Sequence, residues 1–166
     1  ATARLLEPLG AKIIGVNRRG GPVKGCSETM TVEKLDEVLP YADILYLALP
    51  ATPETHELID RRRLNLLKTS CGIINVGRQS AIDYQTLSEM LKSGRIAGAI
   101  LDVFTPEPIV SSSPLWEVPN LIITPHVSSD DPEGYILLTL KLFLSNLERF
   151  ISNKSLINQV DRELGY

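Results

Sequence analysis

The sequence predicts an α/β domain built on a doubly wound parallel sheet, and three observations predict it. Several short runs are apolar throughout, as strands covered on both faces must be. Patterns of helical period alternate with them, and crossover helices are what join parallel strands. Finally, 166 residues with 43% apolar and 22% charged side chains make one ordinary globular unit able to bury such a sheet.

Leu5, Leu6 and Leu9 mark a helix end that Gly10 stops, because glycine enters the left-handed backbone region without penalty. Residues 11–16 (AKIIGV) follow as a strand. Thr31 is placed to cap a helix carrying Val32, Leu35, Val38 and Leu39 on one side, and Pro40 to end it. Residues 44–49 (ILYLAL) read as a fully buried strand. A helix over 60–68, a strand over 72–76, a helix over 83–93 closed by Gly94 and a strand over 96–101 continue the alternation. Past a loop rich in Pro and Ser (105–114), residues 121–124 form the last strand and 132–151 a long amphipathic helix.

A formal charge of −3 and an aromatic fraction of 5% give no basic face for nucleic acid or an anionic membrane. Cys26 and Cys71 are too few for a disulfide framework and lack CxxC spacing, so a reducing, cytoplasmic setting is expected. The longest apolar runs, 44–51 and 135–144, fall short of the roughly 20 residues a membrane span requires. No secretory leader is visible, and the chain opens on Ala1, which suggests a fragment.

In an open parallel sheet, ligands bind beyond the carboxyl ends of the strands. The residues there are Asn17, Arg18 and Arg19 after the first strand, and Pro50, Thr52 and Thr55 after the second. Gly77 and Arg78 follow the third, Asp102 and Glu107 the fourth, and His126 the fifth. A histidine with a carboxylate partner passes a proton near neutral pH, and Glu107 is the candidate partner of His126. Arg78 supplies a planar fork that grips a carboxylate in two places. Acid, partner and anchor are the parts needed to reduce a 2-oxo acid, with hydride drawn from a cofactor because no side chain donates one. His56 and the run Arg61 to Arg63 read as solvated, Cys71 as a buried thiol, and Trp116 and Phe104 as packing residues.

The stretches LPATPETHELI (49–59), NVGRQSAID (75–83), SGRIAGAILDVFTPEP (93–108) and LWEVPNLIITPH (115–126) closely resemble the D-isomer-specific 2-hydroxyacid dehydrogenases. The resemblance implies that His126 is the general acid/base, Glu107 its partner and Arg78 the substrate anchor. It also implies cofactor contacts at Leu49, Pro50, Thr55, Val76, Gly77, Asp102 and Ser128, and a homodimer acting on a small acid such as glyoxylate or hydroxypyruvate. Residues 1–131 are then a partial dinucleotide-binding domain, and 132–166 a crossover helix and tail toward a substrate-binding domain. A dinucleotide-sensing corepressor-like protein and a phosphoglycerate dehydrogenase-like enzyme are the alternatives.

Three positions depart from the family pattern. None of the 11 glycines forms the phosphate-binding GxGxxG turn, so the first strand and glycine-rich turn are missing and the chain reads as the C-terminal half of a longer protein. Where NAD-preferring members carry an acid, this chain has Asn17 followed by Arg18 and Arg19, which favours NADP over NAD. The usual glycine after the substrate arginine is Gln79, which is strained if that position needs an unusual backbone angle.

Overall fold

A computed structural model of the chain describes residues 1–129, 131 and 133–163. Among the described residues, six parallel strands form two sheets. β1 (Ile14–Val16) pairs with β2 (Glu28–Met30), and β3 (Ile44–Leu47), β4 (Gly72–Asn75), β5 (Gly98–Leu101) and β6 (Leu121–Ile123) lie side by side in that order. The expected parallel α/β architecture is present, divided between a two-stranded and a four-stranded sheet.

The helices are α1 (Thr2–Leu6), α2 (Leu35–Val38), α3 (Arg61–Leu66), α4 (Tyr84–Lys92) and α5 (Tyr135–Ile151). Their ends follow local chemistry. Asp60 accepts the Arg63 N–H at 2.8 Å to start α3, and Asp83 accepts the Thr86 N–H at 2.9 Å to start α4. Gly94, at φ +70°, follows α4 at its end.

The core lies beneath the larger sheet, where Leu64, Leu67, Ile73, Leu87, Ile96 and Leu101 are fully buried. Each such side chain contributes about 1.5–3 kcal/mol of apolar burial.

Several expectations are corrected. β2 was missed because Glu-Thr-Met has no apolar run; it forms by pairing in register with β1. Thr31 makes no side-chain cap, and the helix after it is a 3₁₀ turn (Val32–Lys34), a single α turn and another 3₁₀ turn (Leu39–Tyr41). Pro40 sits inside that last turn, where its missing N–H costs nothing. β3 is not fully buried: it bonds a neighbour on one side only, and Ile44 and Tyr46 are 57% and 41% exposed. Leu49 and Pro50 lie past its end.

Of the long C-terminal helix, Pro132 lies outside the described residues and the helix runs over Tyr135–Ile151. It buries none of its residues, and Ile136, Leu140, Phe143, Leu147 and Phe150 are all exposed. The amphipathic pattern therefore finds no partner within the described chain. Among the described residues no helix is long and apolar enough to cross a membrane.

Candidate active site

The strands of the larger sheet point the same way, so the segments following β4, β5 and β6 emerge on one rim. There His126 Nδ1 lies 2.8 Å from Glu107 Oε2. The other Glu107 oxygen accepts the Phe104 N–H at 2.6 Å, which fixes the carboxylate against the ring. The hydrogen bond from His126 lowers the Glu107 carboxyl below the usual carboxylate range; the Phe104 N–H lowers it further, and Arg78 adds a weaker field. An ionised Glu107 requires the proton on Nδ1, which leaves Nε2 of a ring that is 43% exposed for a reacting group.

His126 adopts φ +57°, a region that L residues seldom enter and that costs on the order of 1–3 kcal/mol. Asp102, almost wholly buried, holds it there. Its Oδ1 accepts the Thr124 hydroxyl at 2.5 Å and the Val127 N–H at 2.9 Å, and its Oδ2 accepts the Ser128 N–H at 3.0 Å. Burial alone raises this carboxyl, yet the bonds from Thr124, Val127 and Ser128 together outweigh it and hold the group at about 2. Asp102, directly after β5, thus bonds Ser128 in the loop after β6 that carries His126, the two residues that the resemblance makes cofactor contacts.

Arg78 follows β4, with Nη1 donating to the Gly77 carbonyl at 2.7 Å. Its loop is tied from within by Asn75, a fully buried residue that sequence reading overlooked. Asn75 Oδ1 accepts the Gly77 N–H at 3.0 Å, while Nδ2 donates to the Arg78 carbonyl at 3.1 Å and to the Tyr84 hydroxyl at 3.2 Å. Tyr84, also overlooked, donates to the Val103 carbonyl at 2.8 Å and so joins the Arg78 loop to the one bearing Glu107. An Asn ending an otherwise apolar strand was the available signal. Gln79 lies in a 3₁₀ turn with negative φ, so the strain feared for it is absent.

The segments after β3 and β4 touch backbone to backbone. A Cβ on Gly77 would lie 2.5 Å from the Leu49 nitrogen, so only glycine fits there, and Val76 N donates to the Leu47 carbonyl at 3.0 Å. Thr55 Oγ1 donates to the Pro50 carbonyl at 2.6 Å and accepts the Thr52 N–H at 3.0 Å, closing the loop on which Pro50 stands.

Asn17, Arg18 and Arg19 form an exposed-tipped turn after β1, in the smaller sheet, with Arg18 within the electrostatic field of Glu54. The donor set suits a dinucleotide: two exposed guanidinium groups on the turn after β1 and, at Gly77, a backbone that a Cβ would drive into Leu49. His56 is exposed and Cys71 buried, as expected; Arg61 and Arg62 are exposed and pair with Glu89 and Asp36, whereas Arg63, expected to be solvated, is largely covered and donates to Asp36 and to the Leu58 carbonyl. Phe104 packs edge-on against Tyr84, but Trp116 is half exposed and donates to the Val110 carbonyl.

Residues 1–128 match the family described as D-isomer specific 2-hydroxyacid dehydrogenase, NAD binding domain. The chain is 40% identical over 162 residues to an uncharacterized protein of the proB 3′ region of Corynebacterium melassecola, covering 98% of this chain and 53% of that one. It also superposes on a D-isomer specific 2-hydroxyacid dehydrogenase from Xanthobacter autotrophicus Py2 in complex with NADPH and MES. That likeness has a TM-score of 0.90 at 34% identity and covers 99% of this chain and 66% of the other. A second structure is the NADPH-dependent glyoxylate/hydroxypyruvate reductase of Sinorhizobium meliloti in complex with NADP and sulfate. Its TM-score is 0.90 at 32% identity, over 99% of this chain and 52% of the reductase. The chain thus spans about half the length of the curated relative it matches. With an NAD-binding-domain match over its first 128 residues and the His126, Glu107 and Arg78 rim intact, the chain belongs to the D-isomer specific 2-hydroxyacid dehydrogenase family.

Proposed function

We propose that this chain forms the catalytic and cofactor-binding part of an NADP(H)-preferring 2-hydroxyacid dehydrogenase, working as a reductase on a small 2-oxo acid such as glyoxylate or hydroxypyruvate. The observation that carries the reading is the 2.8 Å pairing of His126 Nδ1 with Glu107, on the same rim as Arg78. NADPH, when bound, supplies the hydride. Arg78 grips the substrate carboxylate through two parallel N–H donors and so orients the carbonyl. His126 delivers a proton from Nε2 to the oxygen as negative charge develops on it. Glu107 steadies the ring in both protonation states and accepts the Nδ1–H throughout.

Arg18 and Arg19, with no acid at position 17, support preference for the phosphorylated dinucleotide, and both structural neighbours above carry it. The exposed apolar residues of α5 support assigning 132–166 to a substrate-binding domain that they would cover. A homodimer in a reducing, cytoplasmic setting completes the reading, in keeping with Cys26 and Cys71 as free thiols.

The test is consumption of NADPH and NADH, followed by nicotinamide absorbance, by the intact protein with glyoxylate and hydroxypyruvate. Faster turnover with NADPH is expected, and His126→Ala should abolish it while sparing cofactor binding. Near-normal turnover by His126→Ala would overturn the assignment.

A further inference from the structure

We propose that Asn17 serves as a positioning residue, bracing the turn that presents Arg18 and Arg19 to the 2′-phosphate of the cofactor. The inference rests on the NADP(H) reading above and gives Asn17 a role inside the chain, where the sequence showed only the lack of an acid. Every polar group of Asn17 takes part in a bond within the chain. Its backbone N–H donates to the Met30 carbonyl at 3.0 Å, which pins the turn to β2. Its carbonyl accepts the Gly20 N–H at 3.4 Å. Its Oδ1 accepts the Arg19 N–H at 3.0 Å, and its Nδ2 donates to the Gly21 carbonyl at 3.1 Å. The side chain thus ties together the middle and the far end of the turn, with Arg18 and Arg19 exposed at its tip.

The turn is tightly built on its other side as well. Gly20 sits at φ +63°, and a Cβ there would lie 2.8 Å from Thr31 Cγ2. Holding two long cationic side chains on a fixed backbone reduces the ordering cost of binding a phosphate between them. An aspartate in place of Asn17 keeps an acceptor for the Arg19 N–H but has no donor for the Gly21 carbonyl, so the acid of an NAD reader and this brace exclude each other.

The test is calorimetric binding of adenosine 2′,5′-bisphosphate and of 5′-AMP to the intact protein, with no turnover required. Asn17→Ala should weaken the bisphosphate about fivefold and leave 5′-AMP unchanged, the size expected from losing one or two neutral hydrogen bonds. Asn17→Ser retains an acceptor for the Arg19 N–H and should fall between. In an Arg18→Ala/Arg19→Ala background, Asn17→Ala should add nothing, because a brace acts only through what it holds. A further loss in that background would show that Asn17 touches the phosphate itself and overturn the proposal. Equal weakening of 5′-AMP by Asn17→Ala would overturn it too, by revealing general damage to the site. If the double arginine variant binds the bisphosphate normally, it is the NADP(H) reading that fails.

Discussion

Asp102 accepts the backbone N–H of Val127 at 2.9 Å, and Val127 is the residue immediately after His126. A buried carboxylate bonded to the backbone beside the imidazole therefore dictates where the imidazole stands. Replacing it by Asn turns one acceptor oxygen into a donor facing N–H groups, leaving a buried donor unsatisfied at about 1–3 kcal/mol. Asp102→Asn should lower the thermal midpoint accordingly and reduce kcat with little change in cofactor binding.

The same group gives an acid-side pH dependence. Its folded value of about 2 lies below the unfolded range near 3.9, so its stabilisation is complete above about pH 4 and is lost as pH falls toward 2. Denaturant titrations across that window should show wild-type stability falling by on the order of 2 kcal/mol more than that of Asp102→Asn.

Glu107→Gln leaves an amide where an ion had been. It can still accept the Phe104 N–H, but the charge that stabilises a protonated His126 is gone. A fall in kcat of roughly 10²-fold, with unchanged cofactor affinity, is expected in steady-state kinetics. Turnover within twofold of wild type would show that the pair is structural.

Arg78→Lys keeps the charge and loses the fork. Losing one charge-assisted hydrogen bond should cut kcat/KM for the 2-oxo acid by about 10- to 100-fold. The KM for NADPH should stay as it was, since Arg78 is assigned to the substrate and not to the cofactor.

Tyr84→Phe removes the hydroxyl that bonds both Asn75 and Val103, the link between the Arg78 and Glu107 loops. A loss of about 1–3 kcal/mol in stability is expected, read as a lower denaturant midpoint at constant m. The accompanying change in kcat/KM measures how far that link registers the two loops.

The legible parts of this protein were those written locally. Asp60 and Asp83 stand where caps belong, Gly10 and Gly94 where helices stop, and the runs over 72–76 and 96–101 are apolar enough to be strands in any context. The places of Arg78, Glu107 and His126 on one rim were legible because each follows a strand of the same parallel sheet. What escaped was set by neighbours distant in sequence. Glu28–Met30 is a strand only because β1 lies beside it, and Asn75 matters only through Gly77, Arg78 and Tyr84. The exposure of β3 depends on which edge goes unpaired, and no run of six letters records that.

The small sheet of β1 and β2 has a kinetic consequence. β1 and β2 share only three register pairs and bond to no other strand, while β4 and β5 are flanked on both sides. Opening the smaller sheet exposes little buried apolar surface, so its amides should open in fluctuations well short of global unfolding. In hydrogen exchange Gly15 and Thr29 should lose protection well before Ile73 and Ile100. The turn proposed to hold Arg18 and Arg19 to a phosphate would then stand on a sheet that opens more readily than the one carrying Arg78, Glu107 and His126.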